Sequence, residues 1–294
     1  MDDDDLLAAR FEEHRAHLRA VAYRMLGSRA EAEDAVQETW LRLTRVDAAT
    51  IDNLGGWLTT VVGRVCLNLL RSRRSRRDEP LGERVPDVVV TRDDGTGPEH
   101  DAVEAHSVGL ALLVVLDTLA PAERLAFVLH DMFAVPFDDI APIVERTPAA
   151  TRQLASRARR RMRGATPVPD SDVTRQRRVV DAFFAASRQG DFDALVAVLD
   201  PDIVLRSDGG ALLPAGTGLV RGAENVARQA IMFARASRSL VPVLVNGAAG
   251  VVVVIDGEPT SVMAFTVAGG RVVEIDVVVD PERLGRLDPA LLQD

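Results

Sequence analysis

Residues 32–43 read AEDAVQETWLRL, a run in which apolar and charged residues alternate at helical spacing. Just before it, Ser28 and Glu31 have the spacing of a capping box, so a helix is predicted to begin near Arg29. Four residues of the run recur at i, i+3, i+4 and i+7 and therefore share one helix face: Asp34, Gln37, Glu38 and Leu41. This face suits a basic helical partner, and the alternative is a plain solvated acidic face.

A second amphipathic helix is predicted from Leu54 onward. Apolar residues recur at i, i+3 and i+4 as far as Leu70, which is typical of a helix with one apolar face. Trp57 and Cys66 fall on this stripe and are expected to be core residues, as is Trp40 in the preceding helix. For Trp57 the alternative is an aromatic side chain on which a nucleic-acid base stacks. The stripe ends in a cluster of arginines that contains no acid: Arg71, Arg73, Arg74, Arg76 and Arg77.

A second helical module has the spacing of a helix-turn-helix. Pro121 opens a helix to about Phe133, Pro136 opens a short one over 137–144, and Thr147 can cap the next. That last helix holds six arginines in twelve residues: Arg152, Arg157, Arg159, Arg160, Arg161 and Arg163. An α-helix fits the DNA major groove, where arginine grips phosphates or pairs with guanine. A solvated basic face is again the alternative.

Two breaks in composition divide the chain into modules. Residues 78–101 are rich in acids, proline and glycine and are predicted to be a flexible linker, and residues 165–172 form a second, proline-containing break. The predicted segments are two helical domains over 1–77 and 102–164 and a third domain over 173–294.

The third module changes from helical to strand periodicity. Helices are predicted over 173–189, 191–199 and 223–236. Two-residue hairpin signals then separate four strands: Asn246-Gly247, Asp256-Gly257 and Gly269-Gly270. Helices followed by a four-strand antiparallel meander predict an α+β cone with a hollow interior.

Composition excludes several classes of protein. Hydrophobic residues make up 47% and charged residues 27%, which excludes a wholly disordered chain. The longest apolar run, 110–116, is far shorter than the ~20 residues of a membrane-spanning helix, and the acidic N-terminus does not resemble a secretion signal. With a single cysteine, a cytoplasmic location is expected. The net charge of −9 repels a polyanion, so any nucleic-acid binding must be local.

The two helical modules resemble a known family. Residues 32–43, the Trp57-Leu58 pair and the arginine-tailed helix are similar to region 2 of a group IV (extracytoplasmic function) sigma-70-type factor. LDTLAPAER at 116–124 and the helix-turn-helix are similar to its region 4. The third module resembles the SnoaL-like branch of the NTF2 superfold, which one sigma group carries at its C-terminus. The whole chain is most similar to that group, in particular the mycobacterial sigma-J type.

The resemblance implies an alternative-promoter sigma factor and suggests a role in stress responses. The partners would be core RNA polymerase, through the clamp helices of its largest subunit, and promoter DNA. The face that bears Asp34 would dock on polymerase. The minus-10 element would be held by Asn53, Arg64, Asn68, Arg71 and Arg74. The exposed early turns of the arginine-rich helix would meet the minus-35 element through Ala149, Thr151, Arg152, Ala155, Arg157, Arg159 and Arg160, with Thr151 and Arg152 reading bases.

By the same resemblance, the third module is a built-in regulator that contacts the linker and region 2. Asp208, Gly209 and Gly210 match the start of the group's Asp-Gly-Gly-Gly-Lys motif, and a plain turn is the alternative interpretation. No cofactor is expected. His14 and His17 are three residues apart, but no third ligand is evident and no metal site is predicted.

Two other functions stay open at this point. One is a one-component helix-turn-helix regulator with a ligand-binding cone, which would bind operator DNA by itself. The other is a SnoaL-like isomerase or cyclase, although the third module contains no histidine and its candidate bases are three acids: Asp208, Asp256 and Asp276. We expect that the chain is not an enzyme.

Overall fold

A computed structural model describes residues 3–47, 50–76, 85–92, 109–165, 169–234 and 239–292. The chain divides into two compact units. The first comprises Met1–Glu79 and Val115–Ala165, and the second comprises Pro80–Val114 and Thr166–Asp294. The predicted helical modules are therefore not separate bodies, because they pack together in the first unit. Within the described residues, no helix is both long and apolar enough to cross a lipid bilayer.

The regular structure described up to Ala165 is helical except for one short strand in the linker. The elements are α1 (Asp3–Leu26), α2 (Arg29–Leu43), α3 (Leu54–Arg76), β1 (Val90–Arg92), α4 (Leu110–Asp117), α5 (Pro121–Phe127), a π-helical turn (Val128–Met132), α6 (Phe137–Val144) and α7 (Pro148–Ala165). The predicted caps are present, since Ser28 Oγ accepts from Glu31 N and Thr147 Oγ1 accepts from Ala150 N. Both hydroxyls satisfy amides that the first helical turn leaves free.

Helix α3 departs from the prediction of a single apolar face. Leu58, Val62 and Cys66 are buried as expected, but Leu67 is buried on another side of the helix. A side chain at Gly63 would contact Leu125, Leu129 and Ile143 at 3.5–3.7 Å, so the glycine lets α3 pack closely against α5, the π-helical turn and α6. The second buried side exists because the two helical modules share one core.

A buried arginine also joins the two modules. Arg124 of α5 donates from Nε and Nη2 to the carbonyl oxygen of Arg24 at the end of α1, at 3.2 and 3.0 Å. Its Nη1 donates to Asp117 Oδ1 at 2.7 Å. Nearby, Phe133 lies edge-on to His17 of α1 and beneath the Arg24 guanidinium. These contacts tie α1 to the segment that precedes the helix-turn-helix.

The second unit combines one sheet with several helices. Its elements after the linker are α8 (Val173–Gln189), α9 (Phe192–Val198), β2 (Leu199–Asp208), β3 (Gly218–Arg221), α10 (Ala223–Ala234), β4 (Ser239–Val245), β5 (Ala248–Ile255), β6 (Glu258–Ala268), β7 (Arg271–Val278) and α11 (Pro281–Leu284). Short 3-10 turns lie at Pro214–Gly216 and Pro289–Leu292. The α+β architecture agrees with the prediction.

The sheet is larger than the predicted meander. Strands β4 to β7 form that antiparallel meander, and both central residues of each predicted hairpin turn have positive φ, as type I′ turns require. The described sheet nevertheless has seven strands, in the order β1-β4-β5-β6-β7-β2-β3. Strand β2 pairs with β7 in parallel, and β1 comes from the predicted linker. The linker is therefore a structural part of the second unit over Val85–Arg92.

The core of this unit lies between the sheet and α8, α9 and α10. Phe183 and Phe184 of α8 meet Phe265 of β6 with ring centroids 5.6 and 5.7 Å apart, and Leu195 and Ile275 are fully buried in the same cluster. The described side chains between the sheet and these helices are thus apolar and packed together, where the prediction placed a hollow interior.

Candidate polymerase, promoter and linker sites

The predicted polymerase face lies on the solvent side of α2. Ala32, Ala35 and Val36 turn into the core, while Asp34, Gln37 and Leu41 are exposed. Leu41 keeps 43% of its surface exposed and supplies an apolar side chain to this face. Glu38 is half-exposed and accepts from Arg42 Nε at 2.8 Å, one turn along the helix. The structure therefore brings the four predicted residues together on one face.

Other acids near this face are neutralised by arginines of the same unit. Glu33 accepts from Arg15 at 2.7 Å and pairs with Arg19 at 3.0 Å, and Glu31 pairs with Arg73. Asp34, by contrast, has no ion-pair partner in the described part of the chain. Its carboxylate is free to meet a cationic partner.

The predicted minus-10 residues divide into two groups. Arg64, Asn68 and Arg71 are exposed at i, i+4 and i+7 of α3, so they form one polar stripe. Asn53 lies just before the helix and its Oδ1 accepts from Gly56 N at 3.0 Å, which makes it a helix cap as well as a surface residue. The side chain of Arg74 lies outside the described residues.

Helix α7 presents a different face from the one predicted. Thr151 and Ala155 are fully buried, and Thr151 Oγ1 donates to the carbonyl oxygen of Thr147. The prediction that these two residues reach DNA is therefore wrong. They lie on the side of α7 that packs against α5 and α6, together with Ala158.

The exposed stripe of α7 follows a spacing of i, i+3, i+4, i+7, i+8 and i+11. Its members are Ala149, Arg152, Gln153, Ser156, Arg157 and Arg160. Gln153 and Ser156 were missed by the sequence interpretation, which favoured arginines and small residues in the first turns. Extending the helical period from Ala149 and Arg152 would have found both.

Several arginines of α7 bind acids of their own unit. Arg161 donates to the buried Glu123 at 3.0 Å, and Arg157 lies 3.8 Å from the same carboxylate. Arg159 donates to Asp131 at 2.7 Å. Arg157 and Arg159, both predicted phosphate contacts, thus have internal partners, whereas Arg152 lies over the Phe137 ring.

In the second unit, Asp208 binds the linker directly. Its Oδ2 accepts from Val85 N at 3.0 Å and from Arg283 Nη1 at 3.0 Å. Gly209 and Gly210 shape the turn beside it. Gly210 has φ +61° and donates to Asp208 Oδ1, while a Cβ at Gly209 would lie 1.9 Å from the Leu213 carbonyl oxygen. Asp208 therefore supplies the contact, and the glycines supply the backbone path.

Arg283 of α11 is the other half of this arrangement and was not predicted. It donates to the carbonyl oxygens of Val85 and Pro86 at 2.9 and 2.5 Å, and its Nε lies 3.4 Å from Asp87 Oδ1. We call Val85, Pro86, Asp87, Asp208 and Arg283 the linker clamp. No local sequence pattern joins residue 85 to residues 208 and 283.

The linker continues from the clamp as an edge strand. Val90, Thr91 and Arg92 pair with β4, and Val89 exchanges hydrogen bonds with Asn246 through the backbone and the Asn246 side chain. Arg92 then donates to the Ala290 carbonyl oxygen. All eight described linker residues, Val85–Arg92, therefore lie in the second unit.

The three candidate bases do not line the apolar interior. Asp256 lies in the β5–β6 turn and Asp208 in the linker clamp. Ile275 packs in the core cluster, so its neighbour Asp276 points to the opposite face of β7, where it accepts from Arg206 at 2.9 Å. Burial raises the pKa of Asp276, and Arg206 opposes that shift.

Neither a reactive cysteine nor a metal site is found among the described residues. Cys66 is fully buried, as expected, and burial raises the pKa of its thiol to about 12, which leaves almost no reactive thiolate at neutral pH. Among the residues that the structure describes, no three His, Cys, Asp or Glu side chains are grouped as a metal site.

Comparison with known proteins identifies the family. Residues 10–76 match Sigma-70 region 2, and residues 109–162 match Sigma-70, region 4. The chain is 42% identical over 219 residues to the ECF RNA polymerase sigma factor SigJ of Mycobacterium tuberculosis, an alignment that covers 74% of this chain and 70% of SigJ. The chain belongs to the ECF RNA polymerase sigma factors.

Two further similarities cover nearly the whole of this sigma factor. The probable ECF sigma factor SigI of M. tuberculosis is 33% identical over 98% of both chains. The crystal structure of M. tuberculosis SigJ superposes with a TM-score of 0.73 at 36% identity and covers 95% of this chain and 98% of that one. We call the part of the second unit that follows the helix-turn-helix, residues 166–294, the C-terminal unit, and it is thus shared with a sigma factor of known structure.

Family membership establishes the general activity. This alternative sigma factor binds core RNA polymerase and directs transcription initiation at promoter DNA. A one-component regulator is not favoured, because the region 2 and region 4 families both match and similarity to a sigma factor extends over 98% of the chain.

Proposed function

We propose that this ECF sigma factor docks on the polymerase clamp helices through α2 and reads the minus-10 and minus-35 elements through α3 and α7. We further propose that its C-terminal unit tunes the activity by holding the interdomain linker. The observation that carries the second proposal is the linker clamp, in which one arginine of the C-terminal tail binds three consecutive linker residues. The site of action would be the cytoplasm, where core polymerase is found.

The α2 face supports docking on a basic helical surface. Asp34 and Glu38 are one turn apart, and Leu41 supplies an exposed apolar anchor beside them. Interfaces of this kind combine an apolar contact with charges that set orientation and association rate. Because the chain carries a net charge of −9, recruitment by polymerase would overcome its repulsion from DNA.

The two exposed stripes support separate roles on DNA. On α3, Arg64, Asn68 and Arg71 could follow the backbone of an opened strand and hold its bases. On α7, Arg152 and Gln153 stand at the start of the exposed stripe, where a recognition helix meets base edges. Arg160 lies farther along the same stripe and suits a phosphate contact.

We expect Arg152→Ala and Gln153→Ala each to relax selectivity at one base pair of the minus-35 element by ~1–3 kcal/mol, because each removes one base-reading side chain. Thr151→Ser should leave every base preference unchanged, since Thr151 is buried. Competition between single-base-pair variants of a selected promoter for holoenzyme measures these preferences. Equal loss on all sequences would contradict the assignment of both residues.

The linker clamp supports regulation through the length of the tether. Minus-10 and minus-35 elements are far apart on a duplex, so regions 2 and 4 must separate to reach both. Eight linker residues held on the C-terminal unit are withdrawn from that tether, which amounts to about 26 Å of extended chain. Releasing them should make the open arrangement more accessible.

We therefore expect Arg283→Ala to raise run-off transcription from a cognate promoter about two- to ten-fold at limiting sigma concentration, with promoter choice unchanged. Loss of the charge-assisted hydrogen bonds, worth ~1.5–3 kcal/mol each, is the physical reason. Arg286→Ala is the matched control, because Arg286 lies on the same segment and is exposed. Equal output and equal core affinity for the two variants would refute the clamp.

We assign no catalytic step to the C-terminal unit. The positions of Asp208, Asp256 and Asp276 support this, because none of the three lies in the apolar core that corresponds to the predicted cone interior. Turnover by the purified chain of any small-molecule substrate, lost on Asp276→Asn, would overturn it.

A further inference from the structure

An aromatic column lies beneath the first exposed arginine of α7. The rings of His130 and Phe137 are stacked with centroids 3.7 Å apart and an interplanar angle of 26°. On Phe137, the guanidinium carbon of Arg152 lies 5.7 Å from the ring centroid, within the range of a cation–π contact. His130, Phe137 and Arg152 thus join the π-helical turn, α6 and α7.

The base of the column is fixed by the backbone. His130 Nδ1 lies 3.0 Å from the Val135 carbonyl oxygen, and because a carbonyl only accepts, Nδ1 carries the proton. His130 also lies in the π-helical turn Val128–Met132, a distortion that shifts side chains relative to a regular helix. The hydrogen bond to Val135 and the π-helical turn together set the orientation of the His130 ring that stacks on Phe137.

This contact affects Arg152 differently from an ion pair. Arg159 and Arg161 direct N–H groups to Asp131 and Glu123, so those donors are occupied. Stacking uses the flat face of a guanidinium and leaves the N–H groups along its edge available. The Phe137 ring can thus restrict the rotamers of an exposed side chain without occupying its donors.

We propose that Phe137, supported by His130, is a positioning residue that presents the Arg152 fork to one guanine of the minus-35 element. Guanine is the matching base because its O6 and N7 accept a bidentate pair from arginine. The inference rests on the proposed role of α7, and it adds a residue outside the recognition helix to the determinants of promoter choice.

The test uses the full-length chain with core polymerase. Promoters are first selected from a duplex library randomised over the upstream element, and every single-base-pair variant of the selected sequence is then titrated with holoenzyme. The proteins compared are wild type, Arg152→Ala, Phe137→Leu, Phe137→Tyr and the double variant Phe137→Leu/Arg152→Ala. Leucine keeps apolar volume without a ring, and tyrosine keeps the ring.

We expect Arg152→Ala to abolish discrimination at one G·C pair. Phe137→Leu should reduce discrimination at that same pair about two- to five-fold, the factor that corresponds to an exposed cation–π contact, and leave other positions unchanged. Phe137→Tyr should retain the discrimination at this pair, and the double variant should show the same loss of discrimination as Arg152→Ala.

Two results would overturn the positioning role alone: unchanged discrimination in Phe137→Leu while Arg152→Ala loses it, or a uniform loss of affinity in Phe137→Leu on all sequences. If Arg152→Ala itself changes no base preference, the proposed role of α7 fails as well.

Discussion

Replacement of Arg124 by methionine is expected to lower the free energy of unfolding of the first unit by about 3 kcal/mol. The Arg124 guanidinium is almost fully buried, and burial lowers its pKa while Asp117 opposes that effect. Methionine fills much of the space but donates no hydrogen bond. The Arg24 carbonyl oxygen would lose both of its donors from Arg124, and the pair with Asp117 would be lost.

Tryptophan fluorescence during urea unfolding measures this effect selectively, because both tryptophans of the chain, Trp40 and Trp57, belong to the first unit. Arg160→Met is the matched control, since Arg160 is exposed on α7 and its loss should cost less than 0.5 kcal/mol. Similar unfolding midpoints for the two variants would show that Arg124 does not join α1 to α5 energetically.

Reversing the charge of the α2 face is expected to weaken binding to core polymerase about ten- to hundred-fold. In the double variant Asp34→Arg/Glu38→Arg, two carboxylates that would face a basic surface become cations, so attraction turns into repulsion. Asp34 is exposed and Glu38 is half-exposed, and neither packs in the core, so we expect the variant to fold.

The control for this variant must carry the same change in net charge. Asp181→Arg/Asp193→Arg meets that condition, since both aspartates are exposed on helices of the second unit. Affinity for core polymerase is measured by titrating labelled sigma factor. If the control loses as much affinity as the α2 variant, the effect is one of overall charge and the docking face is wrongly assigned.

Local chemistry predicted much of the fold. The Asn246-Gly247, Asp256-Gly257 and Gly269-Gly270 turns identified strands β4 to β7, because a type I′ turn needs residues that accept positive φ at both positions. Ser28 and Thr147 identified two helix starts for a comparably local reason, since their hydroxyls bind amides within the next turn.

Long-range pairing could not be predicted in this way. Strand β1 looked like a tether because its acidic, proline-rich surroundings are typical of linkers, yet it is held by β4 and Asn246, more than 150 residues later. The parallel pairing of β2 with β7 leaves no turn signal, since no hairpin joins the two strands.

The candidate sites, like the fold, were predictable where local spacing defines them and not where distant residues meet. Helical spacing alone defines the α2 face. Asp34, Gln37 and Leu41 are exposed and Glu38 is half-exposed, while the role of this face in docking stays a prediction. On α7, residue type favours Thr151 and Ala155, which are buried. Helical periodicity instead identifies Gln153 and Ser156, which are exposed. Arg283 could not be found, because its partners are distant in sequence.

Run-off transcription on a selected promoter tests the central claim most directly: polymerase recruits this anionic chain through α2 before its two arginine-bearing stripes engage DNA. We expect a discrete transcript only when core polymerase and the chain are both present, and at least a ten-fold lower yield with Asp34→Arg/Glu38→Arg. An undiminished transcript from that variant, at sigma concentrations that limit the wild type, would contradict the account.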